Sequence, residues 1–75
     1  MFSKKIFAER LKQLRIQKNI SAVMLAEKIG VSKAAISQFE NGANYPNCNN
    51  LCILADYFDV SLDYLAGRSD NPGRQ

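Results

Sequence analysis

Apolar positions recur along this chain at helical spacing, and each such run is bracketed by capping and stop signals. Phe7, Leu11 and Leu14 fall at i, i+4 and i+7, one stripe of a helix that Ser3 can cap and that runs to about Lys18. Ser21 precedes AVMLAEKI and Gly30 follows it, so a two-turn helix is expected there, with Leu25, Ala26 and Ile29 on its inner face. Ser32 opens KAAISQFE, residues 33–40. Ala35, Ile36 and Phe39 face one way, while Lys33, Ala34, Ser37 and Gln38 face the other. Asn41-Gly42 stops that helix, and Asn47 caps a fourth that ends near Phe58, with Cys48, Leu51, Leu54, Ala55 and Phe58 as its stripe. Ser61 caps a last short turn, LDYLA, closed by Gly67, whose Leu62 and Leu65 are expected in the core. Alternating apolar/polar runs are missing, so the pattern predicts an all-α, compact five-helix bundle over residues 1–67. From Arg68 on, RSDNPGRQ has no apolar anchor, and residues 68–75 read as a flexible C-terminal tail.

Composition narrows the chemistry. The 75 residues are expected to form one small domain with no fused effector domain. No apolar run approaches the roughly 20 residues that span a membrane, and charges interrupt the MFSKKIFAERLK start, so a cytoplasmic location is expected. Histidine is absent, which excludes histidine-based catalysis and histidine-ligated metal sites. No nucleophile–base set or glycine-rich phosphate loop is present, so the chain reads as a non-enzyme without cofactor. Cys48 and Cys52 lie four apart without a CxxC motif. As Cys48 falls on the core stripe and Cys52 at its edge, they read as small hydrophobes, and no metal site is expected.

The net charge of +3 conceals a division. Residues 1–42 hold eight Lys or Arg against three acids, a balance of +5, whereas residues 43–75 hold two Arg against four Asp, a balance of −2. A basic half on a small domain fits a phosphate-rich partner as well as it fits a lysine-rich solvated surface.

The stretch SAVMLAEKIGVSKAAISQFENG decides between them. Ala26 leaves room for a second helix, Gly30 can take positive φ at the bend, and Ile36, six residues on, fills the crossing. With LKQLR, LAEKIGVS, ISQFENG, Pro46 and LADYFDVSLDYLAG at these spacings, the chain resembles the helix-turn-helix family of Cro and phage-type repressors over residues 5–67. The resemblance implies a lambda-repressor-like domain and a sequence-specific DNA-binding regulator, a repressor that occludes promoter DNA. Residues 33–40 would enter the major groove of a pseudo-palindromic operator, with the protein acting as a homodimer on DNA and nucleoid-associated when bound. Lys33, Ala34, Ser37 and Gln38 would read bases, and Ser21, Ser32, Asn41 and Asn44 would hold the backbone. Arg15 and Glu40 match a structural ion pair of the family, and Tyr64 lies where the family's dimer contact borders.

The chain also departs from the family pattern. Ala22 stands where members commonly carry a phosphate-binding glutamine, and Val23 and Met24 replace polar residues. Ile16, Val23 and Met24, off the apolar stripes, mark a candidate protein-binding patch. They support the alternative reading, a protein-interaction module on the same fold (an antitoxin or anti-repressor target) with weak DNA binding.

Overall fold

The structure, a computed structural model, describes residues 3–73. The first two residues of the expected domain and the last two of the expected tail lie outside them. Five helices follow in order: α1 (Lys4–Gln17), α2 (Ala22–Ile29), α3 (Lys33–Glu40), α4 (Cys48–Phe58) and α5 (Leu62–Leu65). Each begins at the cap the sequence offers. Ser3, Ser21, Ser32, Asn47 and Ser61 each accept a hydrogen bond from the backbone N–H three residues on, at 2.8–3.2 Å. Such caps satisfy one of the donors a helix start leaves orphaned, typically stabilising by about 1 kcal/mol each.

The apolar stripes meet in one core. Phe7 and Leu11 of α1, Leu25 of α2, Ile36 of α3, Leu54 of α4 and Leu65 of α5 are fully buried. Phe7 meets Phe39 edge to face, with ring centroids 6.2 Å apart. Gly30 closes α2 with φ +76°, and the Gly30 and Val31 amides both donate to the Ala26 carbonyl. That left-handed cap turns the chain within two residues, so α3 crosses α2 with Ala26 and Ile36 both in the core, as the spacing predicts.

The structure corrects several sequence expectations. Cys48 is exposed and Cys52 half-buried, because Cys48 is the first residue of α4 and its turn precedes the buried stretch of that helix. Ile53, which the predicted stripe of that helix leaves out, packs against the core. Leu62 is 42% exposed. Val60, just before the α5 cap, is buried in the core cluster and takes the role expected of Leu62.

The chain beyond Gly67 lacks an apolar anchor, as expected, but the structure gives residues 68–73 a polar one. Arg10 donates to the carbonyls of Tyr64 and Ser69 and pairs with the Asp70 carboxylate at 2.8 Å, while the Ser61 amide donates to the Pro72 carbonyl at 3.0 Å. No helix among the described residues is long and apolar enough to cross a membrane.

Candidate functional site

The outer face of α3 is an exposed polar surface on a helix whose other side is packed into the core. Ser32, Lys33, Ala34, Ser37 and Gln38 are all exposed, whereas Ile36 and Phe39 on the other side are buried. The helix is therefore held from behind and bare in front. Its N-cap is the exposed Ser32, whose Oγ accepts from the Ala35 amide at 3.1 Å.

Its C-terminal end is fastened by charge. Arg15 Nε donates to Glu40 Oε2 at 2.6 Å and Nη2 to Oε1 at 3.1 Å, a two-point clasp from α1 to the last residue of α3. Arg15 Nη1 also donates to the Ile20 carbonyl at 3.0 Å, tying the turn before α2 into the same network. Hydrogen bonding to Glu40 pushes the Arg15 pKa up, desolvation opposes this, and the attraction of the carboxylate adds to the rise. Arg15 is thus engaged inside the fold.

After α3 the chain folds back on the helix end. The Ala43 and Asn44 amides donate to the Gln38 carbonyl, and Gly42 takes φ +78° to permit it. Asn41 Oδ1 accepts from the Ala43 amide at 3.0 Å, and Asn44 Oδ1 accepts from the Tyr45 amide at 2.9 Å. Both side chains are thus loop-shaping, and each keeps an amide –NH2 as a donor end. Asn41 and Asn44 are exposed beside the α3 face. Ser21 lies apart from α3, at the start of α2, where its Oγ accepts from the Met24 amide at 3.1 Å.

Ala22 packs against the core, while Val23 and Met24 are 45% and 46% exposed and Ile16 is 59% exposed. Tyr64 is half-buried and packed against the core, with the Arg10 guanidinium 4.1 Å from its ring centroid.

Sequence reasoning missed the part that α1 plays for the tyrosines. Lys4 stands 5.4 Å from the Tyr45 ring, Arg10 covers Tyr64, and Lys18 stands 5.1 Å from Tyr57. These pairs are far apart in sequence, and no local signal could reveal them. An open cleft of about 440 Å³ runs between the start of α1 and the end of α3, lined by Lys4, Lys5, Ala8, Glu9, Glu40, Asn41 and Gly42. It mixes lysines with glutamates, and Glu40 is already bound to Arg15.

A helix-turn-helix family model matches residues 11–65, which contain α2, α3 and the turn between them. In sequence the chain is similar to the uncharacterized HTH-type transcriptional regulator YobD of Bacillus subtilis, with 39% identity over 67 residues, 89% of this chain and 60% of that protein. It is also similar to the HTH-type transcriptional activator BcrR of Enterococcus faecalis, with 44% identity over 59 residues, 79% of this chain and 29% of that protein. In structure it is similar to the c2 repressor of Salmonella phage P22 crystallised with a synthetic operator. There the TM-score is 0.81 and the identity 34%, covering 85% of this chain and 97% of that one. The chain thus spans less than two thirds of the length of these two curated relatives.

Proposed function

The chain belongs to the helix-turn-helix family, and from that premise we propose that it is a sequence-specific DNA-binding transcriptional regulator that inserts α3 into the major groove. One observation carries the reading. The outer face of α3 is exposed along its length while its inner face and its C-terminal end are fixed by Phe39, Ile36 and the Arg15–Glu40 clasp. A reading helix needs this combination, because base discrimination is lost if the helix shifts against its scaffold. The operator-bound P22 c2 repressor supports the docking mode by its similarity.

On this reading Gln38 offers its amide to an adenine, Lys33 reaches a guanine edge or a phosphate, Ala34 meets a thymine methyl, and Ser37 bonds either base type. Ser21, Ser32, Asn41 and Asn44 hold phosphates through hydroxyl and amide donors and through the first-turn amides of α2 and α3. The protein acts as a repressor that occludes promoter DNA, and as a homodimer on half-sites about one helical turn apart, ~34–36 Å. Tyr64 borders the contact between the two copies, and Ala22 removes one side-chain phosphate contact and so loosens the grip.

Selection of bound duplexes from random sequence, read at two salt concentrations, tests the reading. A pseudo-palindromic motif is expected, with affinity falling with a log–log slope near −0.9 per neutralised phosphate. Binding without motif enrichment removes the base-reading role.

The exposure of Val23, Met24 and Ile16 favours a second reading, in which the same fold docks a protein partner through these side chains. Such a contact is apolar and nearly insensitive to salt. If Val23→Ser with Met24→Gln leaves every assembly state and partner interaction unchanged, that reading fails.

A further inference from the structure

The correction at Cys48 opens a site the sequence pattern had closed. Cys48 and Cys52 sit four residues apart on α4, one at its exposed first position and the other half-buried one turn on. Residues at that spacing share one face of a helix.

We propose that Cys48 and Cys52 form a chelating two-thiolate site for a soft, thiophilic metal ion, with copper(I) as the ion whose chemistry fits it. The spacing itself selects this ligand. Side chains four apart on a helix hold their Cβ atoms ~5–6 Å apart. A disulfide needs ~3.5–4.5 Å, so a direct S–S bond would bend α4. One ion held between two sulfurs, each at a metal–thiolate distance of ~2.3 Å, keeps the sulfurs up to ~4.6 Å apart and leaves the helix regular.

Ligand count and softness exclude the common competitors. A structural zinc ion takes four ligands, and among the described residues no group of three or more His, Cys, Asp or Glu is placed to hold a metal. Calcium and magnesium take oxygen ligands. Copper(I) is selected by thiolates, and two sulfurs can satisfy it. Binding is a proton exchange without electron transfer. Two S–H bonds break, two S–Cu bonds form, both protons go to solvent, and the bis-thiolate complex carries one net negative charge. Cys48, as the first residue of α4, holds that charge at the positive end of the helix dipole, where no acidic side chain competes in the first turn.

The test is an anaerobic titration of the fully reduced protein with copper(I) presented by the chromogenic chelator bathocuproine disulfonate, with native mass spectrometry for stoichiometry. One ion per chain is expected, on a monomer's mass. Cys48→Ser and Cys52→Ser should each weaken retention at least about 100-fold, since each turns a chelate into a single-arm ligand. Their unchanged helical circular dichroism would show that the fold survives. Zinc(II) under the same conditions should not be retained. Equal retention by the Cys48→Ser/Cys52→Ser double variant overturns the site. One ion per two chains also overturns it, because the thiolates would then belong to different copies.

Discussion

Replacing Glu40 by glutamine should cost about 2 kcal/mol of folding stability, between the extremes known for surface and fully buried pairs. The substitution keeps the shape of the side chain and removes its charge, so Arg15 keeps its bond to the Ile20 carbonyl but loses its counter-ion. Two unit charges about 4 Å apart attract by about 4 kcal/mol at an effective dielectric near 20. Desolvation and the ordering of two side chains offset part of that attraction. The side chains are 18% and 12% exposed, so water reaches the stranded guanidinium and the loss stays below the 3–5 kcal/mol of a sealed pair. For a domain of this size the melting temperature should fall by roughly 8–16 °C. The assay is urea unfolding followed by circular dichroism, with the m-value held constant, in a cycle with Arg15→Met. The coupling energy of the cycle should exceed about 1 kcal/mol, as expected for residues in contact. The pair raises the Arg15 pKa above its ordinary value. With Glu40 ionised, the arginine's share of that contribution is complete below the ordinary value and is lost in strong alkali, as pH rises past the raised one. Additive single substitutions, or a cost under about 0.5 kcal/mol, would refute the argument that this clasp fixes α3.

Gln38→Ala should weaken cognate binding by about 1–3 kcal/mol and relax preference at one base pair, read by fluorescence anisotropy on single-base operator variants; unchanged preference would mean that another side chain reads that position. Lys33→Glu should raise stability by about 0.3–1 kcal/mol, since it puts an acid at the start of α3, while abolishing DNA binding; a parallel loss of both would tie Lys33 to the fold instead. Gly30→Ala should cost about 1–2 kcal/mol in urea unfolding, through strain at φ +76° alone, because nothing lies within 4 Å of the added Cβ. Arg10→Met should speed amide exchange at Ser61, which donates to Pro72, and leave the α2–α3 amides protected; equal protection would mean that the segment 68–73 holds without its clamp.

How far the sequence could be read depended on the range of each interaction. The caps, Gly30 and the α2–α3 crossing were legible because each is settled within about ten residues, where hydrogen bonding and helical period act alone. The polar face of α3 was legible for the same reason. The errors fall where two elements compete for one core position. Val60 buries itself ahead of the α5 cap and leaves Leu62 outside, and periodicity cannot rank two apolar candidates separated by a cap. Cys48 shares a helical stripe with buried residues but stands a turn before the core begins. The Arg10 clamp joins residues 54 to 60 apart in sequence, and only assembly of the fold brings them together.

The charge pattern takes on a different meaning once those contacts are known. Of the eight cations in residues 1–42, Arg10 and Arg15 are bound inside the fold, and Lys4 and Lys18 stand over tyrosine rings. Each of those two ion pairs sets a cation against an acid already counted, so the net charge of +3 is unchanged and rests on fewer unpaired cations. What remains is arranged against the usual rule for helices. None of α1 to α4 has an acid in its first turn, and α1 and α3 each begin on lysine, at the end where the dipole is already positive. A lysine there costs a few tenths of a kcal/mol, as an acid in its place would stabilise the helix by about 0.3–1 kcal/mol. Four helices left uncompensated in the same sense gain nothing for the isolated domain. An anion at the start of α2 or α3 would instead meet free amides, a serine hydroxyl and, at α3, the Lys33 ammonium together. On the proposed function, a phosphate backbone is the partner that would engage both helix starts at once.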